Sequence, residues 1–166
     1  ITKNIINKYF KNNKIIICGT SPFKIYKIKN HLKKIDCLIL NKEELFKLTN
    51  IRSIHKSIKY IAKKNPNINL IVSNGANKTY GYELSKLISV KPPKIIVLNE
   101  NGAGDTMAGN YIYYRYKNLS LEKSLSLGVA TGTLHAKIKK KIKFKEVDIK
   151  KISKKNKIQK ENLNVK

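Results

Sequence analysis

The chain has 166 residues, with 36 Lys and Arg against 10 Asp and Glu, for a formal net charge of +26. That length suffices for a domain with its own core, and such a charge ordinarily points to a polyanionic partner. Only Arg52 and Arg115 are arginine, however, so 34 of the 36 basic residues are lysines. Arginine is the residue that forks onto phosphate and guanine. The abundance of Lys, Ile and Asn, all with A/T-rich codons, reads as compositional drift over a solvated surface, and specific nucleic-acid binding is set aside. No apolar stretch approaches the roughly 18 residues of a membrane span, and no leader pattern is present, so a cytoplasmic protein without a membrane partner is expected. Cys18 and Cys37 each sit at an end of an apolar run, the habit of reduced core thiols, and His31, His55 and His135 lack metal-ligand spacing. The first residue is Ile rather than Met, which suggests a trimmed or incomplete chain.

Short apolar runs alternate with helical patterns, the signature of an α/β layered fold with a mostly parallel sheet flanked by helices. Residues 14–18 predict a buried strand, and residues 22–34 a helix with Pro22 in its first turn. A second strand over 36–40 runs into Asn41, which caps a short helix ending at Leu48. Another helix is expected over 51–64, using Ile54, Ile58 and Ile61. A third strand, residues 69–73, is broken by Asn74-Gly75, and residues 79–90 suit a hairpin. After Pro92-Pro93, residues 94–98 read as a further strand. Helices follow over about 102–117 and 121–137, the second started by Ser120. The Lys-rich segment 141–166 is expected to be partly disordered, fraying beyond about residue 150.

The strongest chemical feature is the run from Leu98 through Asn99-Glu100-Asn101-Gly102-Ala103-Gly104-Asp105 to Thr106, where a strand ends and a helix begins. Glycines at such a turn let the backbone approach an anion, and the helix start presents free N–H groups. Asp105 is itself negative, so it suits a base taking a proton from an attacking hydroxyl beside a phosphoryl group. A helix-start Asp favoured by the helix dipole satisfies the same spacing. Four tyrosines downstream, Tyr111, Tyr113, Tyr114 and Tyr116, stand at helical spacing and read first as packing residues.

Asn101-Gly102-Ala103-Gly104-Asp105-Thr106-Met107-Ala108-Gly109 resembles the second signature of the PfkB (ribokinase-like) carbohydrate kinase family, and Leu119 to Leu125 resembles its following loop and helix. The resemblance implies that Asp105 is the catalytic base and that the backbone of Gly102, Ala103 and Gly104 forms an anion hole. Upstream, Asn41 and Glu44 look like the family's Asn-x-x-Glu motif, whose glutamate helps organise magnesium through water. An N-cap with Glu44 at the third helical position fits these two residues equally well. Ser73-Asn74-Gly75 is similar to the family's nucleotide-holding turn, although the usual second glycine is replaced by Lys78 or a shifted Gly81. Gly128 and Gly132 would let a helix wall an adenine pocket, or pack closely on another helix. The turn from Gly19 to Lys24 and the helix after it look most like pseudouridine-kinase-like members.

The resemblance spans roughly residues 12–140 and corresponds to the C-terminal half of a family member, with residues 1–140 as a partial kinase domain. It implies a Rossmann-like layered fold, ATP and Mg2+ as cofactors, and a small-molecule sugar or nucleoside substrate, plausibly pseudouridine converted to its 5′-phosphate. The family's sugar-binding half lies outside this stretch, so the chain is expected to need a missing N-terminal half, or a homo-oligomer, for activity. The competing expectation is a non-catalytic nucleotide-binding remnant or an interaction module of a split kinase.

Overall fold

A computed structural model describes residues 2–139 and 144–164. Its helices are α1 (Thr2–Tyr9), α2 (Lys42–Thr49), α3 (Ile54–Lys64), α4 (Ala103–Tyr116), α5 (Leu121–Ala136) and α6 (Glu146–Ser153). The strands are β1 (Ile16–Cys18), β2 (Cys37–Asn41), β3 (Asn69–Ser73), β4 (Thr79–Glu83), β5 (Lys86–Lys91) and β6 (Lys157–Asn162), and a 3-10 helix occupies Ile25–Lys34. The strands are hydrogen-bonded in the order β1-β2-β3-β4-β5-β6. β1, β2 and β3 run parallel, with Ile16 opposite Cys37 and Cys37 opposite Asn69, whereas β4 is antiparallel to β3, with Leu70 opposite Tyr82. The α/β expectation is met. The sheet is mixed, however, and parallel pairing holds for its first three strands.

Two compact units divide the chain: the described residues through Asn74 with Tyr80–Leu87 and the segment from Glu161, and Gly75–Thr79 with the described part of Ile88–Lys160. In the first unit, Leu38, Leu40, Leu70 and Val72 point from β2 and β3 into a core completed by Ile28, Leu32, Leu45, Leu48, Ile58 and Ile61. Each such buried side chain contributes about 1.5–3 kcal/mol. Ile54, Ile58 and Ile61 recur at helical spacing, and α3 starts at Ile54 rather than 51 because the Ser53 side chain accepts the Lys56 amide. The Asn65 amide closes this helix onto its neighbour, donating to the Leu32 and Ile35 carbonyls at 2.9 and 2.8 Å. The helix expected from Pro22 is 3-10 and begins at Ile25, with Ile25 and Ile28 buried three residues apart, as a three-residue turn favours. Leu84 and Ser85 link β4 to β5 with φ of 47° and 65°, the left-handed pair that a two-residue hairpin requires.

In the second unit α4 packs on α5, and α6 packs on α5 through Ile149 and Ile152 against Ala130. Of the four tyrosines of α4, Tyr111 and Tyr114 are buried while Tyr113 and Tyr116 are exposed. Glu146–Ser153 and Lys157–Asn162 therefore correct the expectation of a frayed tail; the boundary placed near residue 140 lies outside the described residues. Residues 94–98 form no strand either. Ile96 is 82% exposed, and the Leu98 and Asn99 amides go instead to the Ala136 carbonyl at 2.8 and 3.2 Å. The two cysteines are less buried than their apolar runs suggest: both are free, Cys18 exposed and Cys37 half-buried. Among the described residues no helix is long and apolar enough to cross a membrane.

Candidate active site

In the first unit, Gly19, Asn41 and Ser73 stand at or just past the carboxyl ends of the parallel strands β1, β2 and β3, where open α/β sheets bind ligands. Asn41 and Ser73 are register partners. The Asn41 side chain accepts the Glu44 amide at 2.8 Å, and Glu44 Oε2 accepts the Asn41 amide at 2.9 Å. This is a complete capping box, so the pair is built locally and Glu44 stays in place although only 2% exposed. The bare Cα of Gly19 makes room for it: a Cβ there would lie 2.6 Å from the Glu44 carboxyl carbon. Among the described residues, Glu44 Oε1 has no hydrogen-bond donor. Ser73 is half-buried and its hydroxyl reaches the Leu40 carbonyl at 3.5 Å, the limit of a hydrogen bond.

In the second unit, Gly75 lies in an exposed turn at φ +55°, and Lys78, which stands where a second glycine was expected, donates to Gln159 at 2.6 Å. Gly102 caps α4 in the left-handed conformation, φ 82°, which favours glycine. The Ala103 amide bonds the Glu100 carbonyl at 3.2 Å and the Thr106 amide bonds the Gly102 carbonyl at 2.9 Å. Within the first turn this leaves the Gly104 and Asp105 amides without a partner among the described residues. Of the residues expected to form an anion hole, Gly102 and Gly104 have amides without a partner among the described residues, whereas the Ala103 amide is bonded and the Asp105 amide is a further unpaired one. Gly104 is open, with nothing within 4 Å of an added Cβ, and the Asp105 carboxylate is exposed.

Gly128 and Gly132 turn out to serve packing. A Cβ on Gly128 would lie 3.0 Å from the Met107 carbonyl, and one on Gly132 would lie 2.9 Å from the Ala103 carbonyl. The space of their missing side chains is filled by α4, the close helix packing that was the alternative to an adenine pocket. By seating α4 they also set the height of Ala103, the first residue of the helix.

The residue that sequence reasoning passed over is His135. Its Nε2 lies 2.8 Å from the Asn101 carbonyl and its Nδ1 3.0 Å from the Thr106 hydroxyl. It stands 33 residues from Gly102, and no local pattern announces the contact. Among the described residues no cluster of three His, Cys, Asp or Glu could hold a metal ion. One carboxylate oxygen of Glu44 is compatible with a hydrated magnesium ion, which keeps most of its waters.

The α/β layers and the glycine turn that opens α4 before Asp105 agree with a ribokinase-like fold. The chain belongs to the pfkB family of carbohydrate kinases, which it matches over residues 4–143. It is 29% identical over 106 residues to the ATP-dependent 6-phosphofructokinase isozyme 2 of Escherichia coli (strain K12), a match covering 64% of this chain and 33% of that protein. Among solved structures, a candidate sugar kinase from Clostridium perfringens superposes with a TM-score of 0.82 at 15% identity, covering 97% of this chain and 53% of the other. A carbohydrate kinase from Agrobacterium tumefaciens gives 0.70 at 21%, covering 89% and 48%. The adenosine kinase of Anopheles gambiae gives 0.73 at 15%, covering 85% and 49%. At these identities the structural likeness establishes the fold. The chain spans a third of its curated relative and about half of these structural neighbours.

Proposed function

We propose that this chain is the phosphate-side, C-terminal half of a cytoplasmic ATP-dependent kinase that phosphorylates a hydroxyl of a sugar or nucleoside. The observation that carries the reading is the start of α4, where the unpaired Gly104 and Asp105 amides and the exposed Asp105 carboxylate occur together in the pfkB signature. Those amides, with Gly102 allowing close approach, would hold the oxygens of the transferred phosphoryl group as charge develops on them. The Asp105 carboxylate would take the proton of the attacking hydroxyl. That oxygen bonds to the terminal phosphorus of ATP as the bond to the bridging oxygen breaks, giving a phosphate ester and ADP.

Glu44 and Asn41 would order hydrated magnesium, which neutralises phosphate charge when bound. Ser73 and Gly75 would contact the nucleotide, and Gly128 and Gly132 would act through the seating of α4. Pseudouridine is the proposed substrate, on the resemblance of the segment from Gly19 to Asp36. Because the chain spans only part of its relatives, transfer is proposed for a polypeptide or assembly that also supplies the substrate-binding half.

The test is Asp105→Asn in that assembly. Phosphorylation should be lost while ATP binding persists; undiminished turnover sinks the assignment of the base. ATP binding without turnover in any assembly of the unaltered chain would favour the reading as a nucleotide-binding module, a reading that the Lys78 departure supports.

A further inference from the structure

We propose that His135 is a positioning residue that holds the anion turn in shape, acting as the neutral Nε2–H tautomer clamped between Asn101 and Thr106. The inference rests on the reading of this turn as the phosphate site. A backbone carbonyl only accepts, so the 2.8 Å contact to Asn101 requires the proton on Nε2. In the neutral ring Nδ1 is then an acceptor, and the Thr106 hydroxyl, 3.0 Å away, must donate to it. Both ring nitrogens are thereby committed to the two sides of one turn, Asn101 before Gly102 and Thr106 in the first turn of α4.

The rest of the turn depends on the same end of α5. Leu98 and Asn99 are bonded to the Ala136 carbonyl, Asn101 N bonds Asn99 Oδ1 at 3.1 Å, and a Cβ on Gly102 would lie 3.4 Å from His135 Nε2. The imidazole thus lies over the bare Cα of the one residue with little torsional preference of its own. Without the ring, the Asn101 carbonyl loses its only donor among the described residues, and the peptide before Gly102 can rotate. The Gly104 and Asp105 amides would then lose the fixed aim on which electrostatic stabilisation depends. The Thr106 hydroxyl, which can donate or accept, follows that tautomer and holds the second nitrogen, so the clamp is a two-residue device.

Three readouts test this, two of them independent of any activity. Imidazole nitrogen NMR of the 15N-labelled chain near neutral pH should show His135 as the Nε2–H tautomer; an Nδ1–H ring overturns the proposal. Amide hydrogen exchange at Ala103 and Thr106, the bonded amides of this turn, should quicken roughly tenfold in His135→Ala, for the loss of one hydrogen bond, with β2 and β3 unchanged. His135→Gln, which restores a donor toward Asn101, should recover more protection than His135→Asn. Unchanged exchange at this turn overturns the proposal, and Thr106→Val, with Thr106→Ser as its rescue, gives the same reading if His135→Ala does not fold.

In the active assembly, His135→Ala should lower kcat on the order of a hundredfold while KM for the hydroxyl substrate stays near its original value. A loss confined to KM overturns it. Absence of turnover in the unaltered assembly would count against the kinase reading alone, with the tautomer and the exchange data still deciding on His135.

Discussion

Gly19 and Glu44 share one space: a Cβ on the glycine would lie 2.6 Å from the glutamate's carboxyl carbon and 2.9 Å from Oε1. Gly19→Ala should therefore expel the buried carboxylate, break its bond to the Asn41 amide, and cost about 1–3 kcal/mol. Chemical denaturation measures this. Glu44→Gln separates the two roles, because glutamine also completes a capping box. It should stay within roughly 1 kcal/mol of the parent while weakening magnesium-dependent turnover in the active assembly. A stability loss as large as that of Gly19→Ala would show that the charge itself holds α2.

The glycines of α5 and of the first turn of α4 should respond oppositely to the same methyl group. Gly132→Ala drives a Cβ toward the Ala103 carbonyl and Met107, so overpacking should cost about 1–3 kcal/mol. Gly104→Ala meets open space and should leave the denaturation midpoint near the parent's or slightly above it. If Gly104→Ala nonetheless depresses phosphoryl transfer, the methyl stands where phosphate approaches.

Asn65 carries two carbonyls on one side chain, those of Leu32 and Ile35. Asn65→Ala strands both at a nearly buried position, and about 1–3 kcal/mol should be lost. Asn65→Asp should be no better, since a carboxylate oxygen cannot donate to a carbonyl. Equal stability of Asn65→Ala and the parent would show that water replaces the amide.

The titration of Tyr114 should be displaced upward. Burial raises its phenol pKa above the ordinary 10.0, and the Glu146 carboxylate and Tyr113 raise it further against an opposing effect of Lys150. The fold thus favours the protonated phenol. This contribution is complete below pH 10.0 and is lost as pH rises from there through the folded value. Phenolate absorbance during alkaline titration should lose a late-rising component in Tyr114→Phe, and Glu146→Gln should move that component to lower pH.

Legibility in the sequence followed how local each cause is. β2 and β3 were readable because Leu38 to Leu40 and Leu70 to Val72 are continuous apolar runs, and the Asn41–Glu44 box because its partners are three residues apart. Residues 94–98 carry equally strong strand chemistry, yet a strand also needs a neighbour to pair with, and the Leu98 and Asn99 amides found the end of α5 instead. In the lysine-rich tail, Ile149 and Ile152 bury α6 among charged residues that mask the period. β6 exposes nearly all of its side chains and so shows no alternation. The site divided in the same way. Its glycine turn and Asp105 stand in one short run, whereas the tautomer of His135 depends on a carbonyl and a hydroxyl brought to it by folding.

The end of α5 carries both the Ala136 carbonyl and the His135 ring, and its beginning is fixed by the Ser120 side chain accepting the Lys123 amide. The stretch between them works as a ruler. One residue more or fewer would turn His135 by about 100° around the axis and slide it about 1.5 Å along it, unhooking the turn from both anchors at once. Exposed positions of this helix can vary without touching that length, but its residue count cannot change without dismantling the turn at Gly102.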